Sequence, residues 1–574
     1  MFINHAYTSS WFKTKKSVQR ALIAVISVSA IFIFLVYSYS SDPVALPSTT
    51  SLYRPPMPYN PPQYQPESTP KQTPPINSFR NPSKIEDRVE DEEIDQPAIK
   101  SLAAVYEDAP VYPWELSIPW DDYLASGNFT GTFENFNKNS SYCKSVEEFR
   151  KKNKPFLDAR GVPMKSSRVA FSDFWANSFV KKVMKNITTC VHLEHYSHVK
   201  ETPKKDNFRA DIDLFLLVDP LWHRQMKIGS QFFCPQQMYN HIPGNINMNF
   251  KDTAALTFRE YGNLYKGREK CFNPWEIMPY TLVLNDKDQC DEFLYSLKND
   301  KNPKEIKWIH KKSRFSHNGK GLTVIDSNGS KKMINKYTTQ GCPDKESYLA
   351  QKYIKNPFLL KGKKFDFRAY MFIASLDPLI ILYHDGFLRI SPVRYDADTT
   401  DPEAYLTNTH ISEDFLKSKN ITRDEYQSMM EDQGWSYQRF EEFMISEGYV
   451  QPGWMDSYVR THIKKVMFHV VRMNLHKFVR HPHAWEVCGL DFLLDEDMKL
   501  WYLELNLSPS IADTSDDKEK VNLKFLVDQV DLSYALMYRG KFDEILEKTN
   551  FQWIFDGRKQ GLERYHDVIA EECV

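Results

Sequence analysis

The sequence predicts an α+β globular region placed behind one apolar membrane-spanning helix and an extended stem. Three observations carry that expectation: a nineteen-residue uncharged run from Ala21 to Tyr39, a Pro-dense stretch behind it, and short apolar strands alternating with helical patterns from Ile306 onward. At 574 residues, with 41% apolar and 14% aromatic content, the chain has the composition of a folded protein and length for several cores. Its 74 basic and 75 acidic residues leave no electrostatic footprint for nucleic acid, and no zinc-finger spacing or RNA-binding signature is present, so no nucleic-acid partner is expected. The eight cysteines are scattered without a C-x-x-C pair, which disfavours zinc and indicates no dense disulfide framework.

Residues 1–20 read as a cytoplasmic tail and 21–39 as the transmembrane helix, since nineteen residues at 1.5 Å rise nearly span a hydrocarbon core. Lys13, Lys15, Lys16 and Arg20 precede it, whereas the next twenty residues carry only Asp42 and Arg54, so the positive-inside rule keeps the N-terminus cytoplasmic. A cleaved signal peptide is the rival reading; the run is longer than a usual h-region and no convincing A-x-A site follows. Residues 40–105 hold Pro55-Pro56, Pro61-Pro62, Pro74-Pro75 and the acidic run Glu86 to Asp95, a composition that buries too little apolar surface to fold and behaves as a disordered stem. Sequons at Asn128, Asn139, Asn186, Asn328 and Asn420 agree with a lumenal globular part.

The globular region divides at about residue 300, with 110–300 as an N-terminal part, 301–540 as the core and 541–574 as a helical tail. Ile212 to Val218 reads as a buried strand, and Gln237 to Gly244 as a turn. Trp308-Ile309 followed by Lys311-Lys312 ends one apolar strand; Ser313 to Gly321, closed by Asn318-Gly319-Lys320-Gly321, is a polar loop before the strand Leu322 to Ile325. A strand, a glycine-containing loop and another strand flanked by lysines can fold over a triphosphate, although the spacing is not that of a Walker loop. Ala350 to Ile354 is a short strand. In the strand Lys364 to Ile373, Lys364, Asp366 and Arg368 alternate with Phe365, Phe367 and Ala369, so the ionisable side chains share one face. Arg389, on the following strand, adds a cation nearby.

Near the C-terminus Gly489 to Asp495 and Trp501 to Ser510, joined by the turn Asp495 to Lys499, read as an antiparallel hairpin. Asp491, Glu504 and Asn506 share one face there, and three oxygen donors that leave coordination positions open suit Mg²⁺ bound to nucleotide phosphates.

Taken in order, Trp308-Ile309-x-Lys311, Gly319-Lys320-Gly321-Leu322, Gln351-Lys352-Tyr353-Ile354, Lys364-Phe365-Asp366-Phe367-Arg368, Asp385-Gly386-x-x-Arg389, Leu406-Thr407-Asn408, Gly489-x-Asp491 and Leu503-Glu504-x-Asn506-x-x-Pro509-Ser510 form a series that resembles the tubulin-tyrosine-ligase-like family. Upstream, Asn240 to Gly244 and Pro279 to Leu284 look like its N-terminal part, and the resemblance covers roughly residues 230 to 535. It implies an ATP-grasp fold, two α+β lobes clasping ATP, and a Mg²⁺-dependent ligase joining a free amino acid to a protein carboxylate through an acyl phosphate. By matching position, Lys311 and Lys364 would hold the phosphates, Gly319, Lys320 and Gly321 would cover them, and Gln351, Lys352 and Ile354 would line the adenine slot. Asp366 would contact nucleotide or acceptor, whereas Arg368, Arg389, Thr407 and Asn408 would hold the incoming amino acid or its acyl-phosphate partner. Asp491, Glu504 and Asn506 would bind one or two Mg²⁺.

The sequence departs from the family pattern at Lys312, in place of a proline, and at Tyr405, in place of a histidine. The family lysine that follows the metal strand is open among Lys518, Lys520 and Lys524, and with it the amino acid added, whether Glu, Gly, Tyr or another. Tubulin is an acceptor by resemblance only, and no basic docking extension is present. Topology and function pull apart, because tubulin and abundant ATP are cytosolic while the charge flank places the ligase in the lumen of the ER or Golgi; a cytosol-facing orientation stays open. Two other readings are a catalytically silent binding protein of the same fold and a Golgi-type glycosyltransferase using Asp211-Ile-Asp213, Asp396-Ala-Asp398 or Asp495-Glu-Asp497.

Overall fold

The computed structural model describes residues 141–153, 167–171, 191–195, 212–216, 234 and 237–559, apart from 243, 265–272, 314–320, 377, 399, 401–404, 408–421, 479–482, 510, 512–514 and 539. The expected transmembrane segment Ala21 to Tyr39 and the stem lie outside the described residues. Among the described residues no helix is long and apolar enough to cross a membrane.

A parallel sheet comes first along the chain. Its strands β1 (Ser167–Phe171), β2 (Val191–His195), β3 (Leu214–Leu216) and β4 (Met238–Tyr239) lie in the order β2-β1-β3-β4. The strand expected at 212–218 is β3, all three of whose residues are buried. Helix α1 (Ser141–Lys152) is fastened beside it by the Cys143–Cys234 disulfide, and Arg150 both pairs with Asp213 and donates to the Ile212 carbonyl at 2.9 Å. Asp213 also accepts from the Tyr538 hydroxyl at 3.3 Å, so it anchors α1 and the first sheet to the end of the helix Asp516–Met537.

The second sheet is antiparallel, ordered β5-β8-β6-β7, from β5 (Thr281–Val283), β6 (Trp308–Lys312), β7 (Leu322–Ile325) and β8 (Tyr348–Lys352). Helix α2 (Lys251–Leu264) lies against it, with Arg259 donating to the Thr281 carbonyl at 3.0 Å. Its core is closed by α3 (Lys287–Lys298) and α4 (Ser327–Gln340), whose Phe293 and Tyr337 pack with Leu282, Trp308 and Ala350. Both helices start where an aspartate side chain accepts from an otherwise orphaned backbone N–H: Asp286 from Gln289, Asp326 from Gly329. A disulfide, Cys290–Cys342, joins α3 to the segment after α4. The two disulfides span 91 and 52 residues, separations that carry no local spacing signal, which is why the cysteine pattern indicated no framework.

The third and largest sheet runs β12-β11-β10-β13-β14, with β9 added to β10 and β15 added to β11. Its strands are β9 (Leu359–Leu360), β10 (Lys363–Leu376), β11 (Leu379–Ile390), β12 (Gly434–Ser436), β13 (Glu486–Leu494), β14 (Leu500–Asn506) and β15 (Gln552–Asp556). Period-two alternation sends Phe365, Phe367, Ala369, Met371 and Ile373 of β10 to one core, with Val466, Met467 and Val470 of α5 (Thr461–Arg472). Tyr370 and Phe372 go to the other, with Phe525 and Val530 of α6 (Asp516–Met537). The tail, expected to be helical over 541–574, holds a short helix, Phe542–Leu546, and then β15. Trp553, Ile554 and Phe555 favour a strand, and β11 offers them backbone partners from Ile380 to Tyr383.

The first and third sheets are tied by backbone bonds between Tyr239 and the segment heading β13, Tyr239 N–H to the His483 carbonyl at 3.1 Å and Trp485 N–H to the Tyr239 carbonyl at 2.9 Å, and beside them by a buried carboxylate. Glu486, at the head of β13 and fully buried, accepts from the Ile242 N–H at 2.8 Å and the Asn245 amide at 2.7 Å, and meets His241 Nδ1 at 2.8 Å. Burial pushes this carboxyl above its ordinary range, with His241 opposing the shift. Gly244 makes the turn possible, because it sits at φ 92° and a Cβ there would stand 1.9 Å from the Lys477 carbonyl oxygen.

A candidate active site between two sheets

Register brings the predicted residues together. Within the third sheet Asp366 lies opposite Arg389, Arg368 opposite Asp491, Asp491 opposite Glu504 and Gly489 opposite Asn506, so four strands present their ionisable side chains on one face. Asp366 takes a two-pronged contact from Arg389, Nε at 2.6 Å and Nη2 at 2.8 Å, and also accepts from the Thr407 hydroxyl. Asp491 lies between both arginines: Arg368 donates at 2.5 and 3.1 Å, Arg389 Nη2 stands at 2.8 Å, and the Asn506 amide donates at 3.2 Å. Gly489 gives Arg368 its path, since a Cβ there would come within 2.9 Å of Arg368 Cδ and 2.8 Å of Pro509 Cβ.

Across from this face stands the second sheet. Lys311, Gln351, Lys352 and Ile354 from its side line one cavity with Lys364, Asp366, Arg389, Thr407, Asp491 and Glu504 from the other. The apolar wall of the same cavity is Pro279, Ile309, Leu322, Leu406, Leu493 and Leu503, and Gln351 is oriented by donating to Thr281 Oγ1 at 2.9 Å. Arg368 and Asn506 abut the cavity through Asp491. Gly321 opens β7 at φ 79°, as a loop closure requires, whereas Gly319, Lys320 and Asn408 lie outside the described residues.

The site sets the cations Lys311, Lys364 and Arg389 against the carboxylates Asp366, Asp491 and Glu504. Burial lowers the Lys311 ammonium to about 8 against the pull of Glu504, and lowers Lys364 to about 7 against Asp366. Burial alone would raise Glu504, but Lys251, Lys311 and Arg389 overcome it and hold the carboxyl down at about 2. Asp366 is pushed up by burial despite Arg389, while Arg389, which burial alone would lower, is raised by Asp366 and Asp491. Two carboxylates and an amide at one end of the hairpin form an oxygen donor set that fits a hard divalent cation, and Glu504 is held in the ionised state such a ligand needs.

Two features were not read from the sequence. Lys251, at the head of α2, reaches Glu504 at 3.2 Å; 253 positions separate them, and no local pattern marks the lysine. Tyr353 and Tyr395 meet beside Lys364. Of the three candidate lysines of α6, Lys518 is buried with its ammonium 4.9 Å from the Phe387 ring, Lys520 is exposed, and Lys524 pairs with Asp528 at 2.5 Å. The aspartate pairs weighed for a sugar-nucleotide metal have local uses. Asp495 shapes the hairpin turn by accepting from Asp497, Lys499 and Trp501, and Asp396 accepts from the Asp398 N–H at 3.0 Å.

A mixed α/β protein with a charged cleft between two antiparallel sheets is the class that fold and site define. The chain belongs to the tubulin-tyrosine ligase family, whose model matches residues 230–536, more than half of its length. It is similar to tubulin polyglutamylase ttll-4 of Caenorhabditis briggsae, 26% identical over 58% of this chain and 52% of that protein. Similarity extends to probable tubulin polyglutamylase TTLL9 of Bos taurus, 29% identical over 39% of this chain and 49% of that one, and to protein polyglycylase TTLL10 of Mus musculus, 24% identical over 57% and 48%. The chain spans about half the length of these curated relatives.

Proposed function

We propose that the protein is an ATP- and Mg²⁺-dependent ligase of the ATP-grasp type that joins a free amino acid to a carboxylate of an acceptor protein. The observation that carries this reading is the single cavity lined by Lys311, Lys364, Asp366, Arg389, Asp491 and Glu504. Oxide is a hopeless leaving group, so the γ-phosphoryl of ATP would pass to a carboxylate oxygen with ADP leaving, and the incoming amine would then attack the acyl carbon and expel phosphate; a bound Mg²⁺ would supply charge neutralisation. Lys311 and Lys364 are placed to neutralise phosphate oxygens, and Gln351, Lys352 and Ile354 to border the base. Asp491, Glu504 and Asn506 would hold the metal. Arg368, Arg389 and Lys518 offer cations for the carboxylate of the amino acid.

The lysines set a pH dependence. Lys364 titrates near 7 in the free protein instead of the ordinary 10.5, so above pH 7 it is largely neutral, and an anion bound beside it draws a proton back. Mg-ATP binding is therefore expected to take up a proton and to weaken as pH rises from about 7 to 9. Calorimetry in two buffers of different ionisation enthalpy measures that uptake, and a buffer-independent heat contradicts it.

The compartment we infer is the secretory lumen, with Ala21 to Tyr39 as anchor and the N-terminus in the cytosol. Two disulfides in separate subdomains support an oxidising environment, and the sequon asparagine Asn328 is exposed at the start of α4. The acceptor would then be a secretory protein; tubulin, on which the names of the two polyglutamylases place their activity, is the cytosolic alternative. Full-length protein from cells should shift on glycosidase treatment, and Asn328→Gln should remove one step; mobility unchanged by glycosidase speaks for the cytosol. The ligase reading itself is tested on the full chain with Mg-ATP and labelled glutamate, glycine or tyrosine. Covalent incorporation into protein with release of ADP supports it, and failure of the wild type to bind Mg-ATP would sink it.

A further inference from the structure

Two tyrosines that no part of the proposed chemistry uses converge on the phosphate lysine Lys364. Tyr353 heads the connector 353–356 from β8 of the second sheet toward the third, and Tyr395 lies in the segment after β11, where its N–H donates to the Gly362 carbonyl at 3.0 Å. The Tyr395 hydroxyl is 2.6 Å from the Lys355 carbonyl oxygen and 3.1 Å from the Tyr353 hydroxyl, and Lys364 Nζ stands 3.4 Å from that Tyr353 oxygen. A carbonyl only accepts, so the single Tyr395 proton goes to Lys355. Tyr353 must then donate to Tyr395, which leaves its own lone pairs for the ammonium. Direction is fixed at every link: Lys364 to Tyr353 to Tyr395 to the connector backbone. The two rings add to it, with the ammonium 4.9 Å from the Tyr353 centroid and 5.5 Å from that of Tyr395, a geometry that favours a cation in a buried site.

We propose that Tyr353 and Tyr395 are positioning residues that hold the Lys364 ammonium against the connector beside the base slot, where it can meet a nucleotide phosphate. The inference rests on the ligase reading. Packing alone would not call for the hydroxyls, since the surrounding cluster of Ile306, Ile309, Val324, Leu406 and Tyr405 is hydrophobic, the Tyr405 hydroxyl donates to the Leu322 carbonyl, and two phenylalanines would fill the same space. The hydroxyls are accounted for by the lysine at one end and the connector carbonyl at the other.

A double-mutant cycle on the full-length protein separates this role from a structural one. Loss of the terminal link in Tyr395→Phe is expected to weaken Mg-ATP binding about fivefold, the worth of one hydrogen bond, with kcat within about twofold of wild type. Against a Lys364→Met background the same substitution should change binding less than twofold, because the group it acts through is gone. An equal fivefold loss in both backgrounds, or none in the wild-type background, overturns the proposal while leaving the ligase reading intact. Wild type that binds no Mg-ATP fails the ligase reading and takes this inference with it. Where Tyr395→Phe lowers the melting midpoint by more than a few degrees, Tyr353→Phe closes the same cycle from the lysine end and is judged by the same two outcomes.

Discussion

Glu504→Gln is expected to lower ligase turnover by about a hundredfold or more while leaving the fold standing. The amide keeps the shape of the carboxylate and can still accept from Lys251, which lies 3.2 Å away, but it removes the negative charge around which Lys251, Lys311 and Arg389 are gathered. A neutral amide is a much weaker ligand for a hard cation, and the metal's neutralisation of the transferring phosphoryl group is worth several kcal/mol of barrier in sites of this kind. Stability responds on another scale. The folded carboxyl titrates at about 2 against an ordinary 4.5, so its ionised form contributes stability above pH 4.5, and that contribution is lost as the pH falls toward 2. The side chain is partly exposed, so the charge is screened and the loss at pH 7 is of order 1 kcal/mol, a few degrees in melting midpoint. Turnover measured beside a melting curve is the check. Undiminished ATP turnover in the variant would remove Glu504 from the metal set, and with it the ligase mechanism.

Legibility in the sequence followed the range over which each signal acts. The β10 face was visible because Lys364, Asp366 and Arg368 alternate with aromatic residues at the period of a strand, and the hairpin of β13 and β14 because its turn is short and polar. What joins those strands into one face is register, and register is a property of pairs: Arg389 near Asp366 follows from the next strand, whereas Arg368 against Asp491, 123 residues apart, is a long-range fact that only the family order hints at. Lys251 and the Glu486 network had no local mark at all, since each depends on a chain crossing of more than two hundred residues. The disulfides, which span 91 and 52 residues, likewise carry no local spacing mark. In the tail the run Trp553 to Phe555 has strand propensity, but it is only a few residues long, and its pairing with β11, about 170 residues upstream, is what makes it a strand.

Glu486→Ala is expected to destabilise the fold by about 3–5 kcal/mol. The carboxylate is fully buried and satisfies the Ile242 N–H, the Asn245 amide and His241 together. Alanine strands all three, and a buried donor without an acceptor costs about 1–3 kcal/mol, so relaxation would have to recover most of the sum to make the change mild. Glutamine separates charge from hydrogen bonding: its amide oxygen can still accept from Ile242 and Asn245, and because burial already disfavours the ionised form, Glu486→Gln should lose only about 1–2 kcal/mol. The position also reaches the site, since β13 runs from Glu486 through Gly489 to Asp491 and its register against β10 sets Arg368 opposite Asp491. At a temperature where Glu486→Ala remains folded, turnover should therefore fall while a variant of equal stability loss on the far face of α5 keeps its activity. Melting curves for the pair decide the first point. Alanine and glutamine behaving alike would mean that His241, Ile242 and Asn245 find other partners, and that the backbone bonds of Tyr239 with His483 and Trp485 hold the two sheets without this carboxylate.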